Sequence, residues 1–353
     1  MMDNLESLPI PLLAWYRENA RKLPWRSDPT PYHVWLSEIM LQQTRVAAVL
    51  GYYERFLEAA PTAAALAALP EERLLKLWEG LGYYTRARNL QKGAKQIMED
   101  FGGQFPSAYE DIRTLCGVGD YTAGAIASIA FGLPVPAVDG NVLRVVSRIS
   151  GDDGDITTTA MKGRVTAALE EIIPVNAPGD FNQALMELGA TVCLPNGAPL
   201  CDRCPAKGFC AALLEDRIAE LPVKAEKKPR RVEERTVWLI FHDGKVALRR
   251  RPEKGLLAGL WEFPNELAGT EPLGSWGITP LSDAFGCTAK HIFTHIEWHM
   301  TARVVEAADD TLPEGWVWCA PGELERDYAL PNAFHRVRHL VNTQLNRGTE
   351  EHT

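Results

Sequence analysis

Four of the seven cysteines lie close together in the sequence: Cys193, Cys201, Cys204 and Cys210. Thiolates are ligands that zinc and iron–sulfur clusters prefer, and gaps of two and five residues let short loops turn the sulfurs toward one centre. In a reducing compartment such a group is better explained by metal than by disulfides. The cysteines therefore predict a metal centre, and their spacing leaves zinc and iron–sulfur both open.

A glycine-containing turn is a candidate phosphate site. Gly117 and Gly119 flank Val118 just before a helix of small residues that begins near Tyr121. Glycine accepts a tight turn and lets a ligand approach the backbone, and the N–H groups at a helix start attract anions. A simple turn is the alternative, because Gly-Val-Gly alone is weak evidence for binding.

An acidic residue follows that helix. Asp139 stands before Gly140, Asn141 and an apolar-periodic run, a position typical of a helix N-cap. A cap that serves stability alone is one interpretation. The other is a carboxylate presented at a helix N-terminus near the glycine turn, where it can stabilise a cationic sugar in a transition state.

The composition limits the possible classes of protein. Of 353 residues, 46% are hydrophobic and 24% are charged, as in globular proteins, and no apolar stretch is long enough to span a membrane. The first residues lack the basic flank of a secretory signal, so we expect a cytosolic protein. The net charge of −9 is unfavourable for binding nucleic acid, but local clusters such as Arg86, Arg88, Lys92 and Lys95 leave DNA binding open.

Helical periodicity extends from Pro9 to about Ile218 and must position these residues. Thr30 followed by Pro31 predicts the start of one helix. The charged, proline-containing segment 224–234 is predicted to be a linker.

Beyond this segment the pattern changes to that of a mixed α/β domain. Asp243-Gly244 predicts a hairpin turn between two strands. Further strands are expected near 292–305 and at 316–318, and a last helix from about 332 to 345.

Several motifs together resemble one family, the MutY adenine DNA glycosylases, over nearly the whole chain. The glycine turn and the aspartate are shared with the wider helix-hairpin-helix glycosylases, whereas the segment from Ser37 to Thr44 is far more specific to MutY. The matching segments are Pro24-Trp25-Arg26, Trp35 to Thr44, Gly80 to Leu90, the Gly-Val-Gly turn, Val138 to Val142 and the four cysteines.

The resemblance implies a two-part architecture. A mostly α N-terminal half would combine a six-helix barrel with the helix-hairpin-helix (30–135) and an iron–sulfur domain (1–29 and 136–223). After the linker, an α+β Nudix-like domain (235–353) would recognise the lesion. Because the family removes adenine opposite 8-oxoguanine or guanine, the expected partner is double-stranded DNA with such a mispair, and the expected state is a monomer.

The resemblance also implies roles for individual residues. Glu38 would be the general acid that protonates adenine, and Asp139 would stay ionised to stabilise an oxocarbenium-like sugar. Tyr121 and Asn141 would line the sugar and water side. Related enzymes with strong lyase activity carry a lysine at position 121, so tyrosine there predicts a monofunctional glycosylase. Without the resemblance, Glu38 would be interpreted as an exposed helix residue.

Other positions match residues that contact DNA in the family. Gln43 and Tyr83 would wedge into the duplex beside the flipped base, although core packing is the alternative for Tyr83. Weaker candidates for the base pocket are Trp25, Arg26 and Gln183.

In the C-terminal half, Leu248 to Arg251 followed by Gly259 to Pro264 resemble the Nudix fold of MutT-like proteins. The glutamate-rich catalytic helix of that fold does not follow, which predicts a recognition domain without pyrophosphohydrolase activity. Phe293, Thr294 and His295 match the loop that reads 8-oxoguanine in the family, where serine is more usual than Thr294. An ordinary surface histidine is the alternative for His295.

The resemblance assigns the four cysteines to a 4Fe–4S cluster. The chain departs from the family in two places: seven residues rather than six separate Cys193 from Cys201, and Cys116 replaces the usual proline before the glycine turn.

Three other functions remain as alternatives: a sister glycosylase for thymine or damaged pyrimidines, a non-catalytic iron–sulfur DNA-binding or redox protein, and a nucleotide pyrophosphohydrolase.

Overall fold

A computed structural model describes residues 3–226 and 229–350 of the chain, which form two compact units. The first unit contains residues up to 68 together with 89–226, and the second contains 69–88 together with the C-terminal residues. In this division 69–88 groups with the C-terminal residues, and the predicted domain boundaries, including the 30–135 barrel, stay a prediction. Lys227 and Lys228 of the predicted linker lie outside the described residues.

Helices dominate the part of the chain before residue 226, and further helical segments lie after residue 320. Short 3₁₀ turns lie at Asp3–Leu5, Cys201–Arg203 and Asn332–Phe334. The α-helices are α1 (Pro9–Asn19), α2 (Pro24–Ser27), α3 (Pro31–Leu41), α4 (Val46–Ala59), α5 (Ala63–Ala68), α6 (Glu71–Leu77), α7 (Thr85–Asp100), α8 (Tyr109–Thr114), α9 (Asp120–Phe131), α10 (Gly140–Ser150), α11 (Thr159–Ile172), α12 (Pro178–Thr191), α13 (Ala211–Leu214), α14 (Glu323–Arg326) and α15 (His335–Glu350).

Local chemistry explains where the site-bearing helices begin and end. Thr30 caps α3 by accepting a hydrogen bond from the backbone N–H of His33 at 3.2 Å, as the Thr30-Pro31 pair predicts. Gly132 ends α9 with φ of +69°, a conformation that glycine adopts without strain. In the core of the first unit, α3 packs against α9, and α12 packs against both α9 and α10.

The second unit contains a mixed sheet. Its strands are β1 (Arg231–His242), β2 (Lys245–Arg250), β3 (Trp261–Glu262), β4 (Asn265–Leu267), β5 (Pro280–Ile292), β6 (Ile296–Ala307) and β7 (Trp316–Cys319). The main order is β3-β2-β1-β6-β5, in which β1 and β6 are parallel and the other pairs are antiparallel. Apolar clusters cover both faces, one around Trp298 and Phe334 and the other around Trp238.

Two sequence expectations can be compared with this sheet. The hairpin at Asp243-Gly244 is confirmed: both residues have positive φ, +44° and +68°, and Phe241 pairs with Val246. The predicted linker 224–234 overlaps β1, which begins at Arg231. The first residues of β1 are charged and largely exposed, so the sequence there shows no apolar alternation. These residues form a strand because they pair with β6.

Candidate active site

Glu38 projects from α3 into the interior of the first unit, and only 6% of its surface is exposed. The hydroxyl of Tyr121 on α9 donates a hydrogen bond to its Oε2 at 2.6 Å. Burial raises the pKa of Glu38 to about 7; the Tyr121 bond opposes this shift and the nearby Asp139 adds to it. The carboxyl group can therefore hold a proton near neutral pH, as a general acid must.

Asp139 is the N-cap of α10, as its position in the sequence predicts. Its Oδ1 accepts hydrogen bonds from the backbone N–H groups of Asn141 and Val142, both at 2.8 Å, and its Oδ2 accepts one from Asn141 Nδ2 at 2.8 Å. Burial raises the pKa of Asp139, while these three donors and the charge of Arg144 lower it. The donors favour the anion and fix its orientation at the helix start.

Both carboxylates line one cavity of about 910 Å³ in the first unit. This volume lies within the range of small-molecule sites, about 300–1,000 Å³. The structure brings eight of the predicted site residues to this cavity: Trp25, Arg26, Glu38, Gln43, Tyr121, Asp139, Asn141 and Gln183.

The sequence interpretation did not single out Glu187 and Met186, which also line this cavity. Glu187 lies four residues after Gln183, and therefore on the same face of α12, and its buried carboxylate is paired with Arg21 at 2.6 Å and Arg26 at 2.8 Å. Burial would raise the pKa of Glu187, but the bonds from the two arginines outweigh it and hold the pKa below its usual value. Met186 completes the wall, with its Sδ 3.6 Å from the Tyr121 hydroxyl.

Arg144 joins Asn141 to the cysteine-containing loop. Its Nη2 donates to Asn141 Oδ1 at 3.0 Å and to the Gly189 carbonyl at 2.8 Å, and its Nε donates to the Cys193 carbonyl at 2.9 Å. The side chain is buried, so these acceptors replace its hydration.

The four predicted metal ligands line a second, small cavity of about 20 Å³ in the same unit. Arg148 Nη1 donates to Cys193 Sγ at 3.3 Å, and all four cysteines are free of disulfides. In the described parts of the chain, no three His, Cys, Asp or Glu side chains converge as ligands of a single metal ion. The donor set and the shared cavity fit an iron–sulfur cluster, which takes thiolate ligands.

The segment between Cys193 and Cys201 contains an exposed turn. The backbone N–H of Leu200 donates to the Val192 carbonyl at 2.9 Å, which closes the ends of this loop. Residues 195–198 are exposed, and Gly197 has φ of +74°. The seven residues between the two cysteines therefore form a largely exposed loop whose ends are held together.

The glycine turn connects α8 to α9; Gly117 and Gly119 are exposed, and Val118 between them is buried. Gly117 has φ of +78°, and a Cβ there would lie 2.7 Å from Asn89 Cβ, so glycine is required. A Cβ at Gly119 would face open space, which leaves that backbone accessible to a ligand. Cys116 donates its backbone N–H to Gln96 Oε1 at 2.6 Å, a bond that proline cannot make.

The two predicted wedge residues share an unusual backbone conformation. Gln43 has φ of +57° and Tyr83 has φ of +48°, values that side-chain-bearing residues seldom adopt and that often mark functional positions. Gln43 is exposed at the cavity of the first unit. Tyr83 is 48% exposed and belongs to the second unit, which disagrees with core packing as its role.

Thr294 and His295 occupy an exposed turn between β5 and β6. The turn is closed by the backbone N–H of Phe293, which donates to the Ile296 carbonyl at 2.8 Å. Phe293 packs on Trp298 with a ring separation of 4.9 Å, whereas the Thr294 hydroxyl lies 3.1 Å from the Tyr83 hydroxyl. The structure thus brings one predicted wedge and the predicted reading turn together.

Glu262 belongs to the Nudix-like segment from Gly259 to Pro264, and its buried carboxylate is held by three hydrogen bonds. Arg249 Nε contacts its Oε1 at 2.8 Å, and Arg251 and Asn265 contact its Oε2. The Glu262 carboxylate is thus held by two arginines and one side-chain amide of the same unit.

The chain is similar to proteins of known function. Residues 36–174 match the family described as HhH-GPD superfamily base excision DNA repair protein, and residues 236–340 match the NUDIX domain family. These matches agree with the predicted fold class, a helix-hairpin-helix glycosylase half followed by a Nudix-like domain.

None of the helices within residues 3–226 and 229–350 combines the length and the apolar composition that a membrane span requires.

Individual relatives are similar over most of the chain. The adenine DNA glycosylase of Mus musculus is 40% identical over 371 residues, covering 86% of this chain and 70% of the mouse protein. That of Rattus norvegicus is 39% identical over 409 residues, covering 96% and 78%. The solved structure of a thermostable thymine-DNA glycosylase is 26% identical, with a TM-score of 0.55, over 60% of this chain and 98% of its own.

Proposed function

Because the chain belongs to the adenine DNA glycosylase family, we propose that it hydrolyses the N-glycosidic bond of adenine opposite 8-oxoguanine or guanine, with Glu38 as general acid and Asp139 as the stabiliser of the sugar cation. The observation that carries this proposal is that two carboxyl groups in different environments line one cavity. Two carboxyl groups with unlike protonation are what acid-assisted cleavage of a glycosidic bond requires.

The base must leave the helical stack to reach this cavity. Inside a duplex the glycosidic bond is covered, so the adenine is flipped out, at a cost of a few kcal/mol. Trp25 supplies an aromatic wall to the cavity. Arg26 is held by the buried Glu187 and can present its remaining donors to acceptors on the base.

Glu38 delivers a proton to the adenine ring and makes the base a neutral leaving group. The Tyr121 hydroxyl occupies Oε2, which leaves Oε1 to carry the transferable proton. Tyr121 remains a neutral donor, because burial and the neighbouring carboxylates raise its pKa well above the ordinary value. After departure of the base, the Glu38 carboxylate can accept a proton from attacking water.

Asp139 faces the positive charge that develops on the sugar. Its oxygens are fixed by Asn141 and the start of α10, so little reorganisation is needed as the charge forms. Asn141 is in turn held by Arg144, which makes it a rigid boundary of the water side.

The reaction ends at the abasic site. Position 121 carries a phenol rather than an amine, so no Schiff base with the sugar can form there. We expect the purified protein to release adenine without efficient strand cleavage at neutral pH.

The remaining predicted residues act on the duplex. Gln43 and Tyr83 fill the space beside the flipped base, where an aromatic ring recovers about 1–3 kcal/mol of stacking. The backbone N–H groups of Gly117 and Gly119 bind a phosphate at the start of α9. Thr294, with its neighbours Phe293 and His295, reads the base opposite adenine; its hydroxyl preserves the hydrogen-bonding group of the more usual serine.

The four cysteines would hold a 4Fe–4S cluster. Their thiols surround one cavity, and the Arg148 guanidinium donates to one sulfur, as it would to a thiolate. When bound, the cluster fixes the 193–210 loop by coordination. Arg144 and Arg148 carry that order to α10 through hydrogen bonds to the loop. Iron and acid-labile sulfide should be present in the purified protein, and zinc alone would contradict the assignment.

The decisive experiment compares duplexes carrying A:8-oxoguanine, A:G, T:G or an oxidised pyrimidine, with alkali used to reveal abasic sites. We expect adenine release from the first two only, and a loss of at least 100-fold in Glu38→Gln and Asp139→Asn. Activity confined to pyrimidine substrates, or undiminished in both variants, would contradict the proposal. That the enzyme acts as a monomer in the cytoplasm stays a prediction from sequence.

A further inference from the structure

Lys76, at the end of α6 in the second unit, has all three donors of its ammonium group engaged. It donates to Glu79 Oε2 at 2.6 Å and to the carbonyls of Leu324 at 3.1 Å and Tyr328 at 2.9 Å. Its side chain is only 10% exposed. An ammonium group without free donors at a largely dry site acts as a fixed tie rather than as a surface charge.

Glu79 is the centre of the same cluster. Its Oε1 accepts from Arg338 Nη1 at 2.8 Å and from the backbone N–H of Leu330 at 3.0 Å, in addition to the Lys76 bond on Oε2. The side chain is 15% exposed. We call Lys76, Glu79 and Arg338 the Glu79 latch; it ties two segments of the second unit that are about 250 residues apart in sequence.

Further bonds surround Tyr83. Asn332 Nδ2 donates to the Gly80 carbonyl at 2.7 Å, and the Tyr84 hydroxyl donates to the Leu330 carbonyl at 3.3 Å. Tyr83 lies between these ties, exposed and with positive φ. The ties therefore restrain the backbone on both sides of the wedge.

The reading turn is connected to the same C-terminal segment by aromatic packing. Phe293 packs on Trp298 at 4.9 Å between ring centroids, and Trp298 packs on Phe334 at 6.3 Å. Phe334 directly precedes α15, which carries Arg338. The contact between Tyr83 and Thr294 hydroxyls, at 3.1 Å, closes this ring of contacts.

We propose that Glu79, with Lys76, is a positioning group for selection of the base opposite adenine. The latch fixes Tyr83 relative to Thr294, and so it determines how strongly 8-oxoguanine at the reading turn accelerates excision over guanine. This inference rests on the proposed roles of Tyr83 and Thr294. A latch that served stability alone would change excision opposite both bases by the same factor.

The test uses the full chain with Glu79→Gln, which keeps the side-chain shape but removes the charge and presents an amide donor to Lys76. Its matched control is Glu71→Gln at the start of α6, because Glu71 makes an exposed ion pair with Arg88 outside the latch. Single-turnover excision of adenine is measured opposite 8-oxoguanine and opposite guanine. The ratio of the two rates should fall about fivefold or more in Glu79→Gln and stay unchanged in Glu71→Gln.

Two further variants separate this inference from the proposed function. Thr294→Val removes the reading hydroxyl and should lower the ratio of the two rates. In the double variant Thr294→Val/Glu79→Gln the ratio should fall by less than the product of the two single effects. A ratio in Glu79→Gln equal to that of Glu71→Gln, with Thr294→Val lowered, overturns the latch alone. An unchanged ratio in Thr294→Val overturns the reading role and this inference with it.

A milder variant decides the question if Glu79→Gln does not fold. Asn332→Ala removes one exposed side chain and its bond to Gly80. We expect the ratio to fall about twofold with the thermal unfolding midpoint nearly unchanged. A ratio identical to that of Glu71→Gln would then overturn the inference.

Discussion

At the scale of single residues, the two carboxyl groups must be in opposite protonation states. Burial raises the pKa of Glu38 to about 7, so its acid form is lost as the pH rises through that value. The pKa of Asp139 is also raised by burial, so its active anion is lost in acid at a higher pH than for an ordinary aspartate. The sequence showed both residue types, but burial, which sets these values, depends on the packing of α3, α9 and α10.

We therefore predict a bell-shaped pH profile for the single-turnover rate of adenine excision. The rate should fall above about pH 7 as Glu38 loses its proton, and fall in acid as Asp139 gains one. The basic limb should be absent from the residual activity of Glu38→Gln, which cannot titrate. A wild-type rate that keeps rising beyond about pH 8 would show that Glu38 is not the acid.

The same burial predicts a pH-dependent effect on stability. In the folded protein the pKa of Glu38 is about 7, above its ordinary value of 4.5. Protonated Glu38 therefore contributes fully to the free energy of unfolding below about pH 4.5, and this contribution is lost as the pH rises through about 7. Glu38→Gln removes this loss. The variant should be more stable than the wild type by on the order of 2 kcal/mol at about pH 8 and nearly equal to it at about pH 5.

Thermal unfolding of both proteins at the two pH values measures this difference. Glu71→Gln serves as the control, because it makes the same change from carboxylate to amide at an exposed residue of the second unit. An equal change in midpoint at both pH values would mean that the variant acts through packing rather than through ionisation.

At the scale of elements, α10 connects the catalytic aspartate to the cysteine loop. Arg144→Met would leave the acceptors on Asn141, Gly189 and Cys193 without their buried donor. Asn141 would lose its anchor, and Asp139 would lose both a fixed donor and a nearby positive charge. We expect kcat to fall about tenfold or more and the acidic limb of the pH profile to move to higher pH.

Arg164→Met is the matched control for this variant, because Arg164 on α11 makes a half-exposed pair with Asp152. Rates and pH profiles of the two variants, compared at equal iron content, distinguish orientation of Asp139 from loss of the cysteine loop. A lower rate with an unmoved acidic limb would contradict a positioning role for Arg144.

The elements also show what sequence could predict. Thr30, Asp139 and Asp243-Gly244 were predicted as helix or hairpin boundaries, because capping and turn formation depend on side chains within a few residues. The packing of 69–88 with the C-terminal part could not be predicted in this way, since the partners of Glu79 are about 250 residues away. Glu187 was missed for a similar reason: its partners Arg21 and Arg26 come from the other end of the first unit's chain.

At the scale of the whole molecule, the net charge is −9, and many of the arginines that count toward it are bonded inside the protein. Arginine side chains pair with buried carboxylates or backbone carbonyls in both units, and these charges are not available to phosphates. The internally bonded arginines include Arg21, Arg26, Arg144, Arg148, Arg235, Arg249, Arg251 and Arg338.

Because these arginines are bonded inside the protein, we predict a shallow salt dependence of DNA binding. Each phosphate neutralised by a cation contributes about −0.9 to the slope of log affinity against log salt, whereas the neutral N–H groups of the glycine turn contribute affinity without slope. We expect a slope of about −3 to −5 for an undamaged duplex, measured by fluorescence anisotropy at about 50–200 mM salt.

Gly119→Ala should weaken binding about tenfold with the slope unchanged, because its added methyl faces open space where the phosphate would approach. Gly163→Ala on α11, which also meets nothing, is the control for the methyl itself. A slope of about −8 or steeper, or equal affinity in the two glycine variants, would mean that exposed cations rather than the helix start hold the DNA.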